Sequence, residues 1–131
     1  MGDYLLDTHV VLWLATDPQQ IPEGLRTELE RANALFVSAI SAYELGQKVR
    51  RGRLPGAAGL LERWDSLLDR LMAEELPVSS EDALLAARLD WEHRDPFDRL
   101  LVAQAQVGGL RLVSKNSRIL NFPQAACLAW A

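Results

Sequence analysis

The stretch Tyr4-Leu5-Leu6-Asp7-Thr8-His9-Val10-Val11-Leu12-Trp13 changes character at one acid. Tyr4-Leu5-Leu6 is a short apolar run of the kind that forms a buried strand. Val10, Val11, Trp13 and Leu14 then recur at helical spacing. Asp7 stands at the joint, where strand passes into helix. As a side chain it is a good helix N-cap, although Thr8 could cap equally well.

The same alternation continues outward. Pro22 opens a helix through Leu25 and Leu29, and Leu35-Phe36-Val37 reads as the next strand. A helix over 40–51 stops at Gly52, and Pro55-Gly56 is a break. Leu60, Leu61, Trp64, Leu67, Leu68, Leu71 and Met72 keep one long helical period. Leu76-Pro77-Val78 reads as a short strand, with Ser80 capping a helix to about residue 91. A further helix runs over 96–107 and stops at Gly108-Gly109. Leu110-Arg111-Leu112-Val113 is a strand, and 125–128 is a candidate last one.

Strands separated by helices require crossovers, hence a mostly parallel sheet covered on both faces. Ligands of such sheets sit outside the carboxyl ends of the strands. Asp7 and Ser114 both follow strands and belong to that rim.

A chain of 131 residues reads as a single domain, 1–131, without repeats or linkers. A chain of this size needs no disulfide, and Cys127 has no partner. Cys127 reads as a small buried hydrophobe in a reducing compartment. No signal peptide or membrane-length apolar run is present, so a cytoplasmic location is expected. The net charge of −4 opposes broad attraction to nucleic acid. A local patch of Lys48, Arg50, Arg51 and Arg53 stands against that balance. It reads either as a solvated helix end or as a phosphate-backbone contact.

Asp7, Glu44, Asp95 and Asp98 lie in mostly apolar segments, where an uncompensated carboxylate is costly. Glu44 falls off the apolar side made by Ala42, Tyr43, Leu45 and Val49, one turn before Lys48. It is either half of an i, i+4 ion pair or an acid aimed at Asp7. Asp95-Pro96-Phe97-Asp98 has the form of a capping box, with Asp95 as N-cap and Pro96 first in the helix. Asp98 also shares a face with Leu101, Val102 and Ala105, where a metal ligand makes better sense than a cap. Two carboxylates about 5 Å apart repel by about 3 kcal/mol at an effective dielectric near 20. A divalent cation turns that repulsion into attraction and activates water for phosphodiester hydrolysis. His9 and His93 form no zinc-ligand spacing, and oxygen ligands alone favour Mg2+ or Mn2+.

Three segments together resemble a PIN domain, specifically the VapC-type toxins of bacterial type II toxin–antitoxin pairs. They are 4–13, Val37-Ser38-Ala39-Ile40-Ser41-Ala42-Tyr43-Glu44-Leu45, and His93-Arg94-Asp95-Pro96-Phe97-Asp98-Arg99-Leu100-Leu101-Val102-Ala103-Gln104-Ala105. The resemblance runs nearly end to end. It implies a three-layer α/β/α sandwich and a Mg2+- or Mn2+-dependent endoribonuclease. It also implies a homodimer inhibited by a cognate antitoxin. The family's acids fall on Asp7, Glu44 and Asp98, with Asp95 as helper or cap and Ser114 hydrogen-bonding in the site. One turn departs: Ser114-Lys115-Asn116 stands where many members have Thr-x-Asp. Asn116 weakens a second metal site or holds a water ligand instead.

The alternative function is a catalytically weak RNA- or partner-binding module. Other small parallel-sheet classes lack support. A dehalogenase-type phosphatase wants an acid where His9 stands, and the acceptor acid of a receiver domain is missing after 76–78. No phosphate-binding glycine loop is present.

Overall fold

Strand β1 (Asp3–Leu6) pairs in parallel on both sides, with β2 (Ala34–Ser38) and with β4 (Arg111–Val113). β3 (Ala73–Leu76) adds to β2, giving the order β3-β2-β1-β4, all parallel. The computed structural model describes residues 2–131.

The strand period of two divides the apolar residues between two cores. Tyr4, Leu6, Val37 and Val113 face one side of the sheet. They pack there against α1 (Thr8–Thr16), α2 (Glu23–Glu30) and α5 (Trp64–Leu71) through Val10, Val11, Leu25, Leu29, Leu67 and Leu68. Leu5, Phe36 and Leu112 face the other side. Against them lie α6 (Ser80–Arg88), α7 (Pro96–Gly108) and α8 (Ser117–Leu120), through Leu85, Leu101, Val102, Ala105 and Ile119. This is the expected three-layer α/β/α sandwich. Helix α3 (Ala39–Arg50) leaves the end of β2 and packs against α1, α7 and the short α4 (Ala58–Glu62). A 3₁₀ turn, Pro18–Gln20, follows α1. Among the described residues no helix is long and apolar enough to cross a membrane.

Several local expectations need correction. The long helix through residues 60–72 is two helices, broken at Arg63, whose φ of −116° and ψ of 39° lie outside the helical region. Leu60, Trp64, Leu67, Leu68 and Leu71 all reach the same core from both pieces. The apolar period therefore survives a break that it does not encode. Met72 closes α5 in the left-handed region, φ 54°, and the chain turns directly into β3. That strand is Ala73–Leu76, not 76–78. Glu74 and Glu75 are exposed, so it lacks the apolar run of a central strand.

Ser79, not Ser80, caps α6, in a reciprocal box with Asp82. The helix ends at Arg88, three residues short of Trp91, because Arg99 takes up the carbonyls beyond it. The segment 125–128 forms one bridge, Leu112 with Cys127, rather than a strand. Cys127 is half-buried, which pushes its thiol pKa up. Tyr43 is not on a buried side: it is 59% exposed, and the inward line of α3 is Ser41 and Leu45. α3 itself ends as expected, with Gly52 at φ +70° just beyond it.

Candidate metal centre

From β1 the chain moves to β2 and β3 on one side, then returns to place β4 on the other. The crevice at such a reversal is where open parallel sheets bind ligands. Asp7 and Ser114 stand on its two walls. The Asp7 N–H donates to Val113 O at 3.0 Å, carrying the ladder one residue past the strands. Ser114 Oγ donates to Asp7 Oδ2 at 2.7 Å, and the Thr8 N–H donates to Asp7 Oδ1 at 2.7 Å. Asp7 is thus both the N-cap of α1 and a carboxylate only 3% exposed at the crevice.

The opening of α3 is tied to the same rim. Thr8 Oγ1 donates to Ser41 Oγ at 2.9 Å, with both residues buried. Glu44 follows Ser41 by three residues, one turn along the same face. It makes the expected pair with Lys48, 3.6 Å apart. Its charge also acts on His9, whose Nδ1 lies 3.6 Å from Asp7 Oδ2. Burial lowers the His9 pKa, against the pull of Asp7 and Glu44. His9 Nε2 accepts the Lys115 N–H at 2.9 Å, so the neutral ring carries its proton on Nδ1. Arg50 and Arg51 are exposed at the far end of α3. The helical rise puts them about 10 Å beyond Glu44 along the axis.

The third wall is the start of α7. Asp95 Oδ1 accepts from the N–H groups of Phe97 (2.8 Å) and Asp98 (3.2 Å), so Asp95 is the cap. The reciprocal half of the expected box is missing. Asp98 turns away from the Asp95 backbone and accepts His93 Nε2 at 2.6 Å and Asn116 Nδ2 at 3.0 Å, both on Oδ2. Asp98 is 8% exposed, and its pKa is raised to about 6. Burial is the main cause, the charges of Asp95 and Asp7 add to it, and the His93 hydrogen bond opposes it.

Both ends of the Asn116 amide are engaged. Its Oδ1 accepts the Arg118 N–H as N-cap of α8, and its Nδ2 serves Asp98. Ser114 Oγ accepts the Asn116 N–H at 3.0 Å, which links the Asp7 and Asp98 halves of the rim.

Donor atoms of His93, Asp95 and Asp98 lie within 4.8 Å of one another. Among the described residues, Asp7, Glu44 and Asp98 do not form a group that tight. Asp7 and Asp98 act on each other by charge, while Glu44 is turned to Lys48. The donor set fits a hard divalent cation: carboxylate oxygens of Asp95 and Asp98 lie close together, and among the described residues no hydrogen bond reaches Asp98 Oδ1.

The residues not anticipated are His93 and Arg99. Arg99 donates to four carbonyls: Ala86 (2.9 Å), Leu89 (2.8 Å), Trp91 (2.8 Å) and His93 (2.9 Å). It thereby ends α6 and fixes the loop that carries His93. The only signal in sequence was His93 five positions before Asp98, a spacing that corresponds to no regular element.

The sequence profile of the PIN domain matches residues 4–125. The chain is 31% identical over 119 residues to Ribonuclease VapC22 of Mycobacterium tuberculosis (strain ATCC 25618 / H37Rv), covering 91% of each. The structure is similar to DNA-bound VapBC from Salmonella typhimurium, with a TM-score of 0.74 and 18% identity over 100% of both chains. It is also similar to a toxin-antitoxin complex from Klebsiella pneumoniae, with a TM-score of 0.64 and 17% identity over 93% of this chain and 94% of that one.

Proposed function

Because the chain belongs to the PIN domain family, we propose that it is a Mg2+- or Mn2+-dependent endoribonuclease, the toxin of a type II toxin–antitoxin pair. The observation that carries this reading is the pair Asp7 and Asp98. They are two nearly buried carboxylates held at a sheet reversal by donors that take only part of their lone pairs. The name of the mycobacterial relative supports a ribonuclease, and the Klebsiella complex supports an antitoxin as partner.

In this reading Asp7, Glu44 and Asp98 hold the cation. When bound, it supplies charge against the scissile phosphate and lowers the pKa of water. Ser114 fixes the Asp7 carboxylate. Asn116 fixes Asp98, and Asp95 sets the first turn of α7 so that Asp98 faces the crevice. Lys48, Arg50 and Arg51 receive the RNA backbone along α3. The protein works in the cytoplasm as a homodimer. Its antitoxin silences it with a peptide whose Arg reaches the acids.

A second reading is favoured by one observation. The Asn116 amide is committed to Arg118 and Asp98, so this turn adds no carboxylate to the site. The protein would then bind RNA or its partner and cut weakly or not at all. Purified, antitoxin-free protein incubated with total bacterial RNA separates the two. Discrete fragments that need Mg2+ or Mn2+, vanish with chelator and vanish in Asp7→Asn support the nuclease. Full cleavage by a folded Asp7→Asn variant overturns the site. No cleavage and no metal binding by the folded protein favours the binding module, whereas metal binding without cleavage points to a narrow RNA substrate.

A further inference from the structure

His93 precedes α7, yet its ring turns back to Asp98. Nε2 stands 2.6 Å from Oδ2. On the other side, Nδ1 faces the Arg118 guanidinium at 3.3 Å. A guanidinium only donates. Nδ1 is therefore the unprotonated nitrogen and Nε2 carries the hydrogen. An imidazole in this tautomer has no Nε2 lone pair for a cation. This separates two roles for a residue whose distances alone would make it a ligand beside Asp95 and Asp98.

The ring is held independently of Asp98. Its own carbonyl accepts from Arg99 at 2.9 Å. It lies 4.9 Å from Trp91, which stacks on Phe122 at 4.4 Å and 5°. The donor is thus placed by the loop and by aromatic packing, and the carboxylate adapts to it. Asn116 delivers a second N–H to the same oxygen. Two donors on one oxygen fix the rotation of the carboxylate and leave its partner oxygen free.

We propose that His93 is a positioning residue: an N–H donor that, with Asn116, orients Asp98 so that Oδ1 is presented to a divalent cation. The proposal rests on the reading of Asp98 as a cation ligand, and its test keeps the two apart. Mn2+ is titrated calorimetrically into wild type, His93→Ala, His93→Gln and Asp98→Asn, with folding checked by circular dichroism. Loss of a partner that orients a ligand typically weakens metal affinity 10- to 100-fold, which is the effect expected in His93→Ala. Gln carries an N–H of similar reach, so affinity in His93→Gln should return to within about threefold of wild type. Pulsed EPR of the Mn2+-loaded wild type should show no directly coordinated nitrogen.

A folded His93→Ala protein with wild-type affinity overturns the proposal alone. So does a directly coordinated imidazole nitrogen, which would make His93 a ligand. If His93→Ala does not fold, the decision passes to His93→Gln and EPR, and a tenfold loss in His93→Gln overturns the donor role. Wild type that binds no Mn2+, or Asp98→Asn that binds as tightly as wild type, overturns the cation reading and this proposal with it.

Discussion

Ser114 Oγ donates to Asp7 Oδ2 across 2.7 Å, joining residues 107 positions apart in the chain. Both side chains are buried, so the bond is made where water cannot replace it. Ser114→Ala leaves a carboxylate oxygen without its donor and strips the Asn116 N–H of its acceptor. The expected loss is about 1–3 kcal/mol of stability in the metal-free protein, with an unchanged denaturant slope. Urea unfolding of the two proteins measures it, and a difference inside about 0.3 kcal/mol would show that the oxygen finds another partner.

The raised pKa of Asp98 has a definite sign. Its carboxyl holds a proton more tightly in the folded protein than in the unfolded chain. The associated stability is complete below the unfolded value of 3.8 and is lost as pH rises through about 6. The metal-free protein should therefore lose stability between about pH 4 and 6, and Mn2+ should restore it at the upper end. Mn2+ must displace the same proton. Below about pH 6 its affinity should fall by up to tenfold per unit, a dependence absent in Asp98→Asn. Thermal unfolding across pH, with and without Mn2+, tests both halves.

Arg99 satisfies four carbonyls from α6 and the loop after it. No lysine can reproduce that planar fork. Arg99→Lys should cost about 2–4 kcal/mol and Arg99→Ala more. Amide exchange should locate the damage, with protection lost around 86–94 before it is lost in the sheet. Uniform loss across both cores would mean that the loop is not where Arg99 acts.

Arg50 and Arg51 are exposed and make no ion pair among the described residues. If they meet the RNA backbone, the double Ala variant keeps its stability to within about 0.5 kcal/mol. Its RNA affinity depends less on salt, the log–log slope falling by about 1.4 for two phosphates on a single strand. An unchanged slope would leave these arginines as a solvated helix end.

The parts of this structure that can be read in the sequence are those set by local patterns. β1, the joint at Asp7 and the capped start of α7 all show in residue spacing, since a buried strand and an N-cap each leave a signature of their own. β3 does not, because its exposed Glu74 and Glu75 hide the apolar run. The break at Arg63 does not, because both helices bury the same stripe. In the site, Asp7 and Ser114 were visible as rim residues, Asp98 as an acid on an apolar helix face, and Asn116 through the family resemblance. Their pairing was not, because a hydrogen bond from β4 to β1 is a property of the sheet order. His93 was set aside for lack of zinc spacing. Its partner is a carboxylate reached through a loop whose path Arg99 dictates.

The strand order leaves β3 with a free side, and Glu74 and Glu75 are exposed on that edge strand, one towards each face. At the other end the free side of β4 is partly taken by the bridge from Leu112 to Cys127. Two copies brought together along β3 would bring the glutamates of both strands close to one another, so a continuous sheet across two molecules is disfavoured there. The same pair of glutamates disfavours fibrillar strand stacking along this edge.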